Sequence, residues 1–155
     1  MLFKTHIAFA ILGILLFIGH VNNKIVFSIM VLLSTIVADI DSENSFLGRF
    51  FKPLNFFVKH RGIVHSLFFV VFISIILAVY FPITSFGFFL GFSIHLICDS
   101  FTKDGIEVFW PFKTKVYGFV TTGGKIEKSI FAFVIFLIAV YILLGLLESF
   151  KIFNL

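Results

Sequence analysis

Gly87-Phe88-Phe89-Leu90-Gly91-Phe92-Ser93-Ile94-His95-Leu96-Ile97-Cys98-Asp99 lies inside an apolar run that extends from Phe86 to Phe101. Within it Gly87, Gly91, His95 and Asp99 recur at every fourth position. At about 100° per residue that spacing drifts by only about 40° a step, so a helix would carry all four on one slowly turning stripe. Glycines spaced in this way let a neighbouring helix approach closely, as small-xxx-small patterns do in membranes. The stripe ends in an imidazole and a carboxylate one turn apart, a pair of the kind that zinc and similar cations take as ligands.

Composition sets the surroundings of that helix. Of 155 residues 60% are hydrophobic, 26 are Phe and only 13% are charged, where a soluble domain has about 25% charged. With a mean hydropathy of +1.15, a chain of this size has no core large enough to hide its apolar side chains from water. The expected class is an all-α, polytopic integral membrane protein forming one domain over residues 1–155. The net charge of +4 and pI near 9.3 do not point to a nucleic-acid partner, because the basic residues are scattered singly through loops and suit topology-setting charges instead. Cys98, the one cysteine, has no intrachain disulfide partner and reads as a small core residue.

Working outward, the apolar runs predict about five helices at roughly 5–21, 25–39, 62–81, 85–101 and 129–148. The first lacks a small-residue cleavage pattern and reads as a membrane helix rather than a leader. The second is short enough for a core or re-entrant segment. Between Asp41 and His60 the mixture of Phe with Arg49, Lys52 and Lys59 suits an amphipathic stretch along the membrane surface. Pro82-Ile83-Thr84-Ser85 predicts a tight turn and an antiparallel hairpin. The loop over 102–128, with Trp110-Pro111-Phe112 and partial alternation after it, predicts a short, partly extended cytoplasmic flap or hairpin. The last run is apolar apart from Tyr141 and reads as a lipid-facing scaffold. With five spans, ten of the twelve basic residues fall on the side of the amino terminus, leaving Lys24 and Lys151 opposite, so that side is expected to be cytoplasmic.

The same topology gathers the polar clusters. His6, Asp39 and Asp41, His60, Arg61, His65 and Ser66, and His95, Asp99 and Thr102 all fall at cytoplasmic helix ends; His20 falls at the other. Any one of them reads ordinarily as a cap or an interfacial residue. Together they are harder to explain that way, since ionisable groups at membrane depth are costly and are kept where they pair, bind ions or line a polar cavity. The expected site takes His6, Asp39, His60, His65, His95 and Asp99 as ligands for one or two divalent cations, zinc first among them. Asp39 and Asp41, too close in sequence to share a helix face, could divide ligation and general-base work. Arg61 would hold an anionic group by its planar fork, and Ser66 and Thr102 would support the ligands by hydrogen bonds. Such a site activates water against an electrophile. Two other classes use the same cluster: a transporter or ion-binding pathway, which should carry polar residues through the membrane whereas these stop at one end, and a non-enzymatic regulatory membrane protein.

His6, Asp39-Ile40-Asp41, His60-Arg61-Gly62-Ile63-Val64-His65-Ser66-Leu67, His95-Leu96-Ile97-Cys98-Asp99-Ser100-Phe101-Thr102 with Gly105, and Trp110-Pro111-Phe112 follow one another in a pattern that resembles the YdjM-type, or DUF457, family. These are inner-membrane proteins described as metal-dependent hydrolases and as LexA-regulated. The resemblance spans about three quarters of the chain. It implies a helical membrane protein of hydrolase type, grouped distantly with zinc-dependent phospholipase C and P1 nuclease, in which a His-x-x-x-Asp helix similar to His95 and Asp99 supplies metal ligands. That grouping implies phosphoester substrates, with membrane phospholipid as a candidate.

Overall fold

Five helices organise the described residues, 1–38, 65–112 and 114–153 of a computed structural model. They are α1 (Phe3–Phe17), α2 (Lys24–Val37), α3 (Leu67–Tyr80), α4 (Pro82–Ser100) and α5 (Lys125–Phe153), with a short 3₁₀ turn at Ile18–His20. Asp39, Asp41, His60, Arg61 and the expected amphipathic stretch lie outside the described residues. The all-helical class is as the composition requires: no strand forms among the described residues, and every long helix is apolar. Three helical stretches, Phe3–His20, Pro82–Ser100 and Lys125–Ser149, are long and apolar enough to cross a membrane; Lys24–Val37 and Leu67–Tyr80 are shorter apolar helices. At about 1.5 Å per residue a helix of 14 residues rises roughly 21 Å, less than the roughly 30 Å of an average hydrocarbon core.

α4 is central because its glycines admit α2. A Cβ built on Gly87 would lie 2.8 Å from the Met30 Cβ, and one on Gly91 would overlap Ser34 Oγ and the Val31 carbonyl. The backbones therefore pack in direct contact, and buried hydroxyls bridge them. Thr35 Oγ1 lies 2.8 Å from Val31 O and 3.0 Å from Gly91 O. Spending hydroxyls on carbonyls in this way leaves no exposed polar group at the seam. Ala38, Val70, Phe92, Leu96 and Ile106 form one buried cluster, and Ala10, Ile14, Phe27 and Val31 another. α5 rests along α1 and turns most of its surface outward: Phe133, Phe136 and Leu143 are exposed, the pattern of a lipid-facing helix.

Several boundaries differ from the sequence expectation, each for a local reason. α4 begins at Pro82, not 85, since a proline at N1 needs no N–H donor and its fixed φ suits the first turn; the expected four-residue turn shrinks to Phe81. α3 begins at Leu67, not 62. Ser66 is extended (φ −114°, ψ 148°) and its Oγ accepts the Phe69 N–H at 3.2 Å, which makes it an N-cap. α5 begins at Lys125, not 129. The stretch after α4 forms no hairpin but two isolated bridges, Thr102 with Val120 and Ile106 with Val116. It is pinned beneath the helices by buried Ile106 and Val120 and by the Leu67 N–H donating to Val108 O at 2.8 Å.

The cap gives a first prediction. Ser66→Ala should lower stability by about 1 kcal/mol without changing bound metal; calorimetry and elemental analysis of the same sample check both halves, and a loss of metal would return Ser66 to a supporting role at the site.

Candidate metal centre

Direction decides which side chains meet. α1, α3 and α5 begin where α2 and α4 end, so the starts of three helices and the last turns of two share one end of the bundle. His6 sits in the first turn of α1, His95 and Asp99 in the last turns of α4, and His65 just before α3. All four are buried. His20 is exposed at the opposite end.

Three of them form a tight set. The donor atoms of His6, His95 and Asp99 all lie within 4.8 Å of one another. His6 Nε2 is 3.2 Å from Asp99 Oδ1, and His95 Nε2 is 3.5 Å from Asp99 Oδ2. Two ligands about 2.1 Å from a tetrahedral cation are separated by roughly 3.4 Å, so the set is one that a metal ion could occupy. The two imidazoles stack with centroids 4.3 Å apart and planes 14° from parallel, which turns both Nε2 atoms toward the same carboxylate.

The surroundings fix the tautomer that ligation needs. His95 Nδ1–H donates to the Thr35 carbonyl at 3.1 Å, and in a neutral ring so held the Nε2 lone pair would face a carboxylate oxygen. Two acceptors so placed call for a cation or a proton between them. A second ring nitrogen held by a carbonyl is the usual support of a metal-bound histidine. His6 Nδ1 is buried and finds no hydrogen-bond partner among the described residues. The Met1 amino group also reaches Asp99 Oδ1, the nearest positive charge to that carboxylate among the described residues.

The expected ligands are thus divided. His6, His95 and Asp99 come together as expected. His65 borders them, its ring 5.4 Å from that of His95 in an edge contact, but it is not in the tight set. Thr102 is not behind a ligand side chain: its hydroxyl donates to the Asp99 backbone carbonyl at 2.7 Å and closes the end of α4, as a polar residue just past a helix terminus does. Asp39, Asp41, His60 and Arg61 are outside the described residues; Asp39 directly follows the fully buried Ala38.

Glu127 was missed by the sequence reading, which treated it as loop. Buried in the first turn of α5, its Oε1 accepts the Leu2 N–H at 2.5 Å and the Thr5 hydroxyl at 2.8 Å, and its Oε2 accepts the Gly123 N–H at 2.6 Å. One carboxylate therefore clamps the start of α1, and with it His6, onto α5. The available signal was an acidic residue three positions beyond Gly123-Gly124, the place where first-turn carboxylates satisfy helix-start N–H groups.

Comparison with known proteins fits this arrangement. The sequence profile of the YdjM inner membrane protein family matches residues 1–152. The chain belongs to that family. It is also similar to a Bacillus subtilis (strain 168) protein named "Uncharacterized protein YvsG", 30% identical over 108 residues that cover 64% of this chain and 68% of the relative. No solved structure matches. Family membership and the apolar helices make this a membrane protein, and the His6, His95 and Asp99 cluster is one that a metal ion could occupy.

A second prediction concerns the clamp. Glu127→Ala leaves one buried and two partly buried donors without their acceptor and should cost about 3 kcal/mol. It should also weaken metal binding, because His6 loses its anchor. Glu127→Gln, which keeps an acceptor, should recover most of both. Titration with zinc and thermal melts of the two variants check this; equal affinity in Glu127→Ala and parent would show that His6 is held by other contacts.

Proposed function

We propose that the protein is a membrane-bound, metal-dependent hydrolase acting on a phosphoester. The observation that carries this reading is the buried set of two imidazoles and a carboxylate, with donor spacings of 3.2 and 3.5 Å and a tautomer fixed by Thr35. His6, His95 and Asp99 would hold a divalent cation, with His65 beside them and Asp39 and His60 as further ligands. Zinc suits this mixed nitrogen and oxygen set. A cation held there supplies Lewis acidity toward water and a phosphoryl oxygen.

The chain's own groups perform the remaining tasks. Thr35 O accepts the proton on His95 Nδ1, so Nε2 is the ring atom that would ligate. Asp39 or Asp41 would take the proton from the attacking water, and Arg61 would bind the anionic phosphoryl group through two N–H donors. The apolar packing around Phe92 and Leu96 excludes bulk water and strengthens these electrostatic contacts. The likeness of His95 and Asp99 to the His-x-x-x-Asp helix of zinc-dependent phospholipase C and P1 nuclease, which the sequence resemblance implies, would favour a phosphoester over other electrophiles.

A multi-pass arrangement with the amino terminus and the site on the cytoplasmic side of the inner membrane follows from the excess of Lys and Arg at that end. A transport pathway is not favoured: the buried hydroxyls of Ser34 and Thr35, in the last turn of α2 beside the site, are turned to backbone carbonyls.

The test is hydrolysis of a water-soluble aryl phosphodiester by chelator-treated protein before and after addition of zinc or manganese. Activity restored by metal in the parent and absent in His95→Ala is the expected result. Activity that is indifferent to chelator, or retained in His95→Ala, overturns the reading.

A further inference from the structure

Next to the metal set lies a cavity of about 380 Å³ between α1, α4, α5 and the segment after α4. Its volume is at the lower end of the roughly 300–1,000 Å³ typical of small-molecule sites. Phe9 supplies one wall from α1, Ile94 and Cys98 a second from α4, Ile130 a third from α5, and Phe119 the floor. Among the described residues its lining carries no charged or hydroxyl side chain. Nothing there would hold a polar metabolite.

Three observations say what it fits. The α4 wall is one helix face, Ile94 and Cys98 being four apart, and each immediately precedes or follows the metal set: Ile94 precedes His95 and Cys98 precedes Asp99. Met1 joins the two compartments, since it lines the cavity while its amino group meets Asp99. The cavity also opens to the outside of the helix bundle, because the apolar Ile97 and Phe119 on its rim remain 56% and 64% exposed.

We infer that this cavity is an acyl-chain site, which takes one hydrocarbon tail of a membrane phospholipid from the bilayer and sets its headgroup beside His95 and Asp99. The inference rests on the hydrolase reading for the fate of the headgroup and assigns its substrate class: a lipid phosphoester rather than a soluble one. The tail needs no polar recognition, as its transfer from bilayer to cavity exchanges one apolar environment for another. Selection for the lipid then comes from cavity shape.

The experiment uses full-length protein in phosphatidylcholine vesicles containing phosphatidylglycerol with a mid-chain diazirine. Irradiation followed by peptide mass spectrometry should place adducts on the Cys98 segment, and Ile130→Trp and Phe9→Trp, which fill the cavity from two different helices, should each reduce them at least about tenfold, the change produced by ~1.4 kcal/mol of lost binding. Adducts on the lipid-facing Phe136 segment should stay at parent level and report that each variant is folded and embedded. Adducts at the Cys98 segment that are no denser than at Phe136, or that persist in both filled variants, overturn the acyl site. Metal content and hydrolysis of the water-soluble diester are read on the same preparations. Loss of the acyl result with those two intact rejects the cavity alone; specific labelling with neither metal nor hydrolysis rejects the hydrolase reading alone.

Discussion

Asp99→Asn will empty the metal site and leave the protein folded. The side chain is 3% exposed and serves His6, His95 and the Met1 amino group at once. An amide keeps the shape and most of the hydrogen bonding: its oxygen can still accept from His6 Nε2, and its NH₂ can donate to the His95 Nε2 lone pair that the Thr35 carbonyl fixes in place. It does not keep the charge, and a neutral amide oxygen is a poor ligand for a dication. Losing a supporting contact weakens metal sites by roughly 10- to 100-fold, so loss of a ligand should exceed about 100-fold. Asp99→Ala is harsher, because it strands buried cationic and N–H donors, and should cost about 3–5 kcal/mol in addition. The pair separates ligation from folding: zinc titration should find Asn nearly metal-free at parent-like melting temperature. An Asn variant with parent affinity would remove Asp99 from the ligand set.

Gly91→Leu should have the largest structural effect of any single change on α4. A Cβ alone at this position overlaps Ser34 Oγ and the Val31 carbonyl, so Gly91→Ala already forces α2 from α4 and should cost about 2–3 kcal/mol. The longer Leu side chain cannot be accommodated in the seam. Separating the helices also withdraws the Thr35 carbonyl from His95 Nδ1, so metal binding should fall with stability although residue 91 touches no ligand. Gly145→Ala is the control. An added Cβ there meets nothing within 4 Å, and replacing a glycine in a helix interior should gain about 0.5–1 kcal/mol. Size-exclusion profiles and melts of the three variants in one detergent decide it; a well-behaved Gly91→Leu protein would mean that α2 and α4 do not pack as described.

The α4 stripe was legible because one spacing serves two purposes. The four-residue repeat that puts Gly87 and Gly91 against α2 also carries His95 and Asp99 to the bundle end, and alternating helix direction then brings His6 to them. Thr102 closes the end of α4 and Ser66 caps α3, roles that a hydroxyl beside a ligand does not announce in sequence; only backbone conformation reveals them. Glu127 was hidden by the placement of α5 four residues too late, which left its carboxylate in a loop. The cavity was not legible at all, since its walls come from three helices and a loop whose apolar residues are indistinguishable in sequence from any lipid-facing residue. Asp39, Asp41, His60 and Arg61 rest on their sequence pattern.

The central claim is that His6, His95 and Asp99 bind one metal ion directly. X-ray absorption at the zinc edge, on tag-free protein purified in detergent and on its His95→Ala variant, tests it most directly. The account predicts metal in the parent with a nitrogen and oxygen shell at about 2.0–2.1 Å, imidazole scattering from at least two rings, and loss of both metal and one ring's contribution in the variant. A parent that binds no divalent cation, or an absorption spectrum that His95→Ala leaves unchanged, would contradict it.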